Sequence, residues 1–159
     1  MVDGPMFLRE TEAKFTQLYQ VAYSILRARQ DAEDAVQQGL LKAWAARSGA
    51  QAETFGPWLM RIVVNECRNI QRHRMRVTPS EEVVMEGESV APPDTDLKDA
   101  IQALPENLRL PFTMKYVAQF SEREVAQAMR LPVSTIKNRL AKARKVLREA
   151  LAEWEVSFQ

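Results

Sequence analysis

The spacing of apolar residues constrains this chain more than any other feature, because it repeats at intervals of three and four over most of the sequence. In the first long segment the repeat is Phe15, Leu18, Ala22 and Ile25, which would line one face of an α-helix. Comparable spacing recurs in later segments, at residues 36–44, 59–70, 97–116, 125–129 and 133–147. The pattern predicts an all-α protein.

The second of these helices carries two further signals. Asp31 and Asp34 are suited to open it, because acids interact well with the free amides and the positive dipole end of a helix. Gly39 lies inside it at a cost of about 1 kcal/mol relative to alanine, so we predict close packing at this glycine.

One segment, residues 77–95, breaks the helical repeat. It contains Pro79, Pro92 and Pro93 together with five acidic residues and no basic one, a formal charge of −5. This composition is typical of a linker. We therefore predict two small helical domains, residues 7–76 and 96–152, joined by a flexible acidic linker. Its 19 residues can extend to about 60 Å, enough to follow roughly 18 base pairs of DNA, although a plain solubilising tether would have the same composition.

Charge is distributed unevenly, although the formal net charge is only +1. Residues 56–76 carry five arginines against Glu66, a local charge of +4, and residues 137–148 carry six basic residues and no acid. Two basic segments on either side of an acidic one indicate a polyanion that is bound at two places.

Several classes of protein are disfavoured by what the sequence lacks. No apolar run approaches the roughly 18 residues that cross a bilayer, and the first ten residues do not resemble a signal peptide, so we expect a cytoplasmic protein with no membrane insertion. With one cysteine and one histidine, Cys67 and His73, we expect no disulfide, no structural metal and no cofactor. Neither a paired-carboxylate site nor a phosphate-binding loop is visible, and we expect no enzyme activity.

The C-terminal third contains the pattern of a helix-turn-helix. Ser121 and Glu124 form a capping box before a short apolar helix, and Pro132 can begin a second helix after a turn. On that helix short polar side chains come first and cations follow. In a helix that reads the major groove, the N-terminal residues meet base edges and the later residues meet phosphates, so this order is the one needed. The predicted DNA-binding residues are Ser134, Thr135, Lys137, Asn138, Arg139, Lys142 and Arg144. The plainer alternative is a solvated basic helix at a chain end.

Another polar face lies in the N-terminal half. Pro57 suits the first turn of a helix, and Arg61, Asn65, Arg68 and Arg72 share one side of it at spacings of four, three and four. The opposite side would be core and would include Cys67. This face predicts a second nucleic-acid contact.

From Phe15 to Leu151 the chain resembles the extracytoplasmic function (ECF) sigma factors, small two-domain specificity subunits of bacterial RNA polymerase. The resemblance is carried by the order and spacing of Asp31-Ala-Glu-Asp-Ala-Val-Gln37, Leu41-Lys-Ala-Trp44, Phe55, Trp58-Leu59, Ile62, Asn65, Arg72, Leu104-Pro-Glu106, Arg109, Glu124-Val-Ala126 and Thr135-Ile-Lys-Asn-Arg-Leu140. It departs from the family's usual residues at Gln38, Asn69 and Arg130. A non-glycine residue at the last position costs about 1 kcal/mol if the turn is left-handed.

This resemblance implies a factor that binds core RNA polymerase and directs promoter-specific transcription initiation. Polymerase would be bound by Asp31, Asp34, Gln37, Gln38 and Leu41. The final helix would read the −35 element, and the N-terminal domain would melt the −10 element with Phe55, Trp58, Arg61, Asn65, Arg68 and Arg72. Phe55 and the loop 48–54 would hold an unpaired base, while Trp58 could instead be core.

The family implies one further partner, an anti-sigma factor. Leu41 and Met60 would be suitable exposed apolar contacts for it, but the two side chains could equally be packed against each other. Two other classes stay open. A stand-alone transcriptional regulator would use its N-terminal helices to dimerise or bind a ligand, and a helical adaptor would bind only proteins.

Overall fold

The computed structural model describes residues 2–77 and 95–157. The predicted linker therefore lies outside the described residues except for its two end positions. Seven α-helices are present in the described ranges: α1 (Gly4–Leu26), α2 (Arg29–Ala45), α3 (Phe55–Val77), α4 (Thr95–Ala103), α5 (Glu106–Tyr116), α6 (Glu122–Met129) and α7 (Val133–Ser157). Two short 3-10 helices, Arg47–Gly49 and Ala52–Thr54, connect α2 to α3. No strand occurs in these ranges, and the all-α prediction is confirmed.

Helices α1 to α3 form the N-terminal group. Asp3 caps α1, since its carboxylate accepts a hydrogen bond of 2.9 Å from the amide of Met6. Helix α1 ends at Leu26, and the left-handed backbone of Arg27 (φ 54°), which caps it, turns the chain toward α2. The predicted opening of α2 by Asp31 is two residues too late, because the helix begins at Arg29 and Asp31 lies in its first turn.

Gly39 lies where α2 approaches α3. A Cβ atom there would be only 2.8 Å from Cγ2 of Val63 and 3.3 Å from its Cα. The sequence predicted that this mid-helix glycine marks close packing, and the structure confirms it. The close approach fixes the distance between the helix with the predicted polymerase residues and the helix with the arginine face.

Helices α4 to α7 form the C-terminal group. The side chain of Arg109 is buried and donates hydrogen bonds to the carbonyls of Leu104 (3.0 Å) and Gln102 (3.4 Å) at the end of α4. Carbonyls at the end of a helix have no partner inside the helix. Arg109 therefore ties α4 to α5, and a small core of Leu104, Leu108 and Leu147 lies beside this tie.

The two groups pack against each other, α3 on α6 and α1 on α5. Their apolar side chains merge into one cluster that includes Leu59 and Val64 from the first group and Leu110 from the second. Polar contacts border it: Arg68 Nη1 is 2.8 Å from Glu106 Oε1, and Arg27 donates to the carbonyl of Gln102. The arginine face of α3 is thus in contact with the C-terminal group.

Candidate nucleic-acid interface

The predicted capping box is present at the start of α6. The hydroxyl of Ser121 accepts from the amide of Glu124 (3.1 Å), and the carboxylate of Glu124 accepts from the amide of Ser121 (3.0 Å). Helix α6 ends at Met129, and the residue that caps it, Arg130, has a left-handed backbone (φ 55°, ψ 47°). The strained turn expected for this non-glycine residue therefore occurs. The amide of Leu131 donates a hydrogen bond of 3.0 Å to the carbonyl of Ala126, which closes the turn.

Helix α7 then presents the predicted polar face outward. Its apolar stripe, Ile136, Leu140, Ala143 and Leu147, is buried. On the other side, Thr135 and Arg139 are half-buried, and five predicted residues are exposed: Ser134, Lys137, Asn138, Lys142 and Arg144. Arg144 is oriented by a hydrogen bond of 3.0 Å to the hydroxyl of Tyr116. The outer face of α7 therefore offers donors and acceptors to a ligand without any rearrangement of the core.

The polar face of α3, unlike that of α7, is only partly exposed. Asn65 and Arg72 are exposed, while Arg61 and Arg68 are half-buried. Arg61, Asn65 and Arg68 line one wall of a cleft of about 260 Å³ whose other wall is the end of α6 at Arg130. Burial lowers the pKa of the Arg61 guanidinium, and the positive charge of Arg130 lowers it further. In this arrangement the face is turned toward α6.

Phe55, predicted to hold an unpaired base, does not offer its ring to a ligand in this structure. Its side chain is 1% exposed, and its ring centroid lies 5.6 Å from that of Phe7 and 5.7 Å from that of Trp58. Trp58 is half-buried and packs against the same core. Met60, for which both exposure and burial were open, is fully buried. Phe55 lies at the start of a helix, where the spacing of apolar residues does not determine the orientation of its side chain. In the structure Phe7 of α1 covers the Phe55 ring.

The predicted polymerase residues lie along α2. Asp34, Gln37, Gln38 and Leu41 are exposed, and Leu41 is 64% exposed despite being apolar. Asp31 is half-buried and forms an ion pair with Arg74 of α3. Four of the five residues are therefore available to a partner, whereas the fifth also joins α2 to α3.

A groove that the sequence did not predict lies between α1 and α2. It has a volume of about 570 Å³ and is lined by Phe15, Tyr19, Tyr23, Arg29, Glu33 and Gln37. The helical period placed Phe15 on the apolar face of α1, yet its side chain is 43% exposed. Apolar residues at spacings of three and four identify the apolar side of a helix. The same spacing occurs whether that side is buried in the core or lines an open groove.

Comparison with known proteins agrees with this architecture. Residues 14–77 match the family Sigma-70 region 2, and residues 94–147 match the family Sigma-70, region 4. The RNA polymerase sigma-H factor of Pseudomonas aeruginosa is 30% identical over 77% of this chain and 74% of its own length. The ECF RNA polymerase sigma-E factor of Escherichia coli is 29% identical over 74% and 72%.

Solved structures give the same result. The sigma factor RpoE of Bartonella quintana, solved with the anti-sigma factor NepR, has a TM-score of 0.76 and 28% identity, covering 92% of this chain and 96% of that one. CnrH, solved with the cytosolic domain of CnrY, shares the fold at a TM-score of 0.71 and 21% identity, covering 95% and 90%. The chain therefore belongs to the sigma-70 family of RNA polymerase sigma factors, in its ECF subgroup. Among the described helices, none is long and apolar enough to cross a membrane.

Proposed function

We propose that this sigma factor directs core RNA polymerase to promoters in the cytoplasm, reading the −35 element with α7 and the −10 element with α3. The observation that carries the proposal is the outer face of α7. Behind a closed, capped turn, exposed Ser134 and Asn138 precede exposed Lys142 and Arg144. Side-chain amides and hydroxyls bind base edges, and cations bind phosphates.

Core polymerase is the proposed partner of α2. Its exposed residues combine an acid, two amides and an apolar side chain, Asp34, Gln37, Gln38 and Leu41. Exposed apolar surface bordered by polar groups is typical of a protein-binding site. Asp31 would contribute through its ion pair with Arg74, which keeps α2 fixed on α3.

We infer that α3 reads the −10 element only after it has separated from α6. Arg68 is paired with Glu106, and Arg61 faces the cleft, so neither can hold a DNA strand while the two helix groups are packed together. Arg72 and Asn65 are already exposed. Because Phe55 is core, we assign the arginine face to the phosphates and leave Trp58 as the aromatic candidate for an unpaired base.

An anti-sigma factor is a further proposed partner. RpoE of Bartonella quintana, which shares 28% identity, was solved with the anti-sigma factor NepR. In this chain Leu41 and the aromatic groove beside Gln37 offer exposed apolar surface for a partner helix. Met60 is buried and is not part of that surface.

Run-off transcription with purified core polymerase across a promoter library tests the proposal. The proposed sigma factor initiates with core enzyme alone, whereas a stand-alone regulator needs another sigma factor in the reaction. Failure to initiate on every promoter, with the protein folded and bound to core, would overturn it.

Charge reversal on α7 separates DNA reading from protein binding. We expect Lys137→Glu with Lys142→Glu to weaken promoter binding by the holoenzyme and to lower the salt slope by about one for each phosphate that the helix no longer binds. Arg9→Glu with Lys98→Glu, at exposed cations on α1 and α4, is the matched control because it changes the net charge by the same amount. An adaptor that binds only proteins would behave identically in both variants.

A further inference from the structure

The cleft between α3 and α6 is strongly cationic. Arg61 and Arg68 enter it from α3 and Arg130 from the end of α6, with Asn65 beside them. Among the described residues, no carboxylate lines it. The nearby acid, Glu106, is paired with Arg68 at 2.8 Å. At about 260 Å³ the cleft lies just below the roughly 300–1,000 Å³ of drug-sized ligand pockets.

The positive charges in this cleft oppose the packing that creates it. Arg130 lowers the pKa of the Arg61 guanidinium across the interface, in addition to the larger effect of burial. This repulsion exists only while α3 and α6 are in contact, because the two arginines belong to different helix groups. An anion between them would replace repulsion by attraction to both helices.

We propose that this cleft binds a small phosphate-bearing anion, which bridges Arg61 and Arg130 and holds α3 against α6. Guanidinium groups match phosphate oxygens with two parallel N–H donors. Asn65 adds an amide donor, and Met129 and Leu110 complete the lining with apolar side chains. A ligand that binds only the packed arrangement stabilises it by mass action.

Binding of the anion rests on the cleft alone, whereas its consequence for transcription rests on the proposed function of α3. If α3 reads the −10 element, the anion and the promoter compete for Arg61 and Arg68. The anion would then act as a negative effector at a site that contains none of the α7 residues.

The test is isothermal titration calorimetry of the full chain with inorganic pyrophosphate, and separately with inorganic phosphate, without DNA or polymerase. Ionic strength is held constant, and sodium chloride serves as the control for general anion effects. We expect saturable binding of at least one of the two probes to the unmodified chain and a rise in its melting temperature with probe concentration. Arg130→Gln and Arg61→Gln should each lower the affinity by about tenfold or more, the usual loss for a charge-assisted hydrogen bond.

Lys145→Gln, at an exposed cation of α7 outside the cleft, is the matched control and should bind as the unmodified chain does. Melting curves without the probe establish that each variant is folded. Equal affinity in the Arg130→Gln and control variants would overturn the proposal, and so would the absence of saturable binding by both probes. Neither result depends on promoter recognition, so the proposed function would remain separately testable by run-off transcription.

Discussion

Replacing Gly39 by alanine sets two opposing effects of known size against each other. Alanine in the interior of a helix is favoured over glycine by about 1 kcal/mol. The new Cβ would lie 2.8 Å from Cγ2 of Val63, a fully buried side chain whose rotamer in a helix is nearly fixed because it branches at Cβ. Overpacking of this kind costs about 1–3 kcal/mol.

We therefore expect Gly39→Ala to lower the free energy of unfolding by up to about 2 kcal/mol, since overpacking outweighs helix propensity. At roughly 2–4 °C per kcal/mol for a chain of this size, the melting temperature should fall by a few degrees in differential scanning calorimetry. Gly49→Ala is the matched control because a Cβ there meets nothing within 4 Å.

A double-mutant cycle isolates the clash between the two helices. In a Val63→Ala background the 2.8 Å contact with Cγ2 is absent, while the 3.3 Å contact with the Cα of residue 63 remains. Gly39→Ala should therefore be much less destabilising in that background, with a coupling energy of about 1–3 kcal/mol. A higher melting temperature for Gly39→Ala in the unmodified chain, or an equal effect in both backgrounds, would refute this reasoning.

Three further perturbations test the helix cap, the buried thiol and the contact between the two helix groups. Ser121→Ala removes the capping hydrogen bond and should cost about 1 kcal/mol, seen as a lower midpoint of chemical denaturation; an unchanged midpoint would contradict the assigned cap. Burial raises the pKa of the Cys67 thiol from 9.0 to about 12, so alkylation of this thiol at pH 8 should be slow until denaturant is added. The protonated thiol's contribution to the free energy of unfolding should be complete below pH 9 and should be lost as the pH rises toward 12, and the pH profile of Cys67→Ala should not show this loss. Glu106→Gln should lower the free energy of unfolding by no more than about 1 kcal/mol, because the Arg68 and Glu106 side chains are 43% and 34% exposed, and a cycle with Arg68→Gln that gave a much larger coupling would contradict this.

The sequence predicted the helices well because each has a local signal. The capping box at Ser121, the turn before Pro132 and the apolar stripe of α7 are all set by residues within one or two helical turns of each other. The same holds for the close approach at Gly39, since a glycine within an otherwise helical segment carries a cost that packing must offset.

What the sequence did not predict depends on contacts between residues far apart in the chain. Phe55 is core because Phe7, 48 positions earlier, lies against its ring, and Asp31 is engaged because Arg74 reaches it from α3. The packing of α3 on α6 joins segments on opposite sides of the acidic stretch. The helical period shows that a face is polar or apolar, and it carries no information on which distant element meets that face.

The unequal exposure of the two basic helices has a consequence for the order of promoter binding. The outer face of α7 is open, while Arg68 of α3 is already paired with Glu106. If the two helices read the two promoter elements as proposed, α7 can bind the −35 element first. The contact of α3 with the −10 element then forms only after the ion pair between Arg68 and Glu106 has broken. Under that scheme mutations of Glu106 would change the rate at which the open complex forms more than they change the initial encounter with DNA.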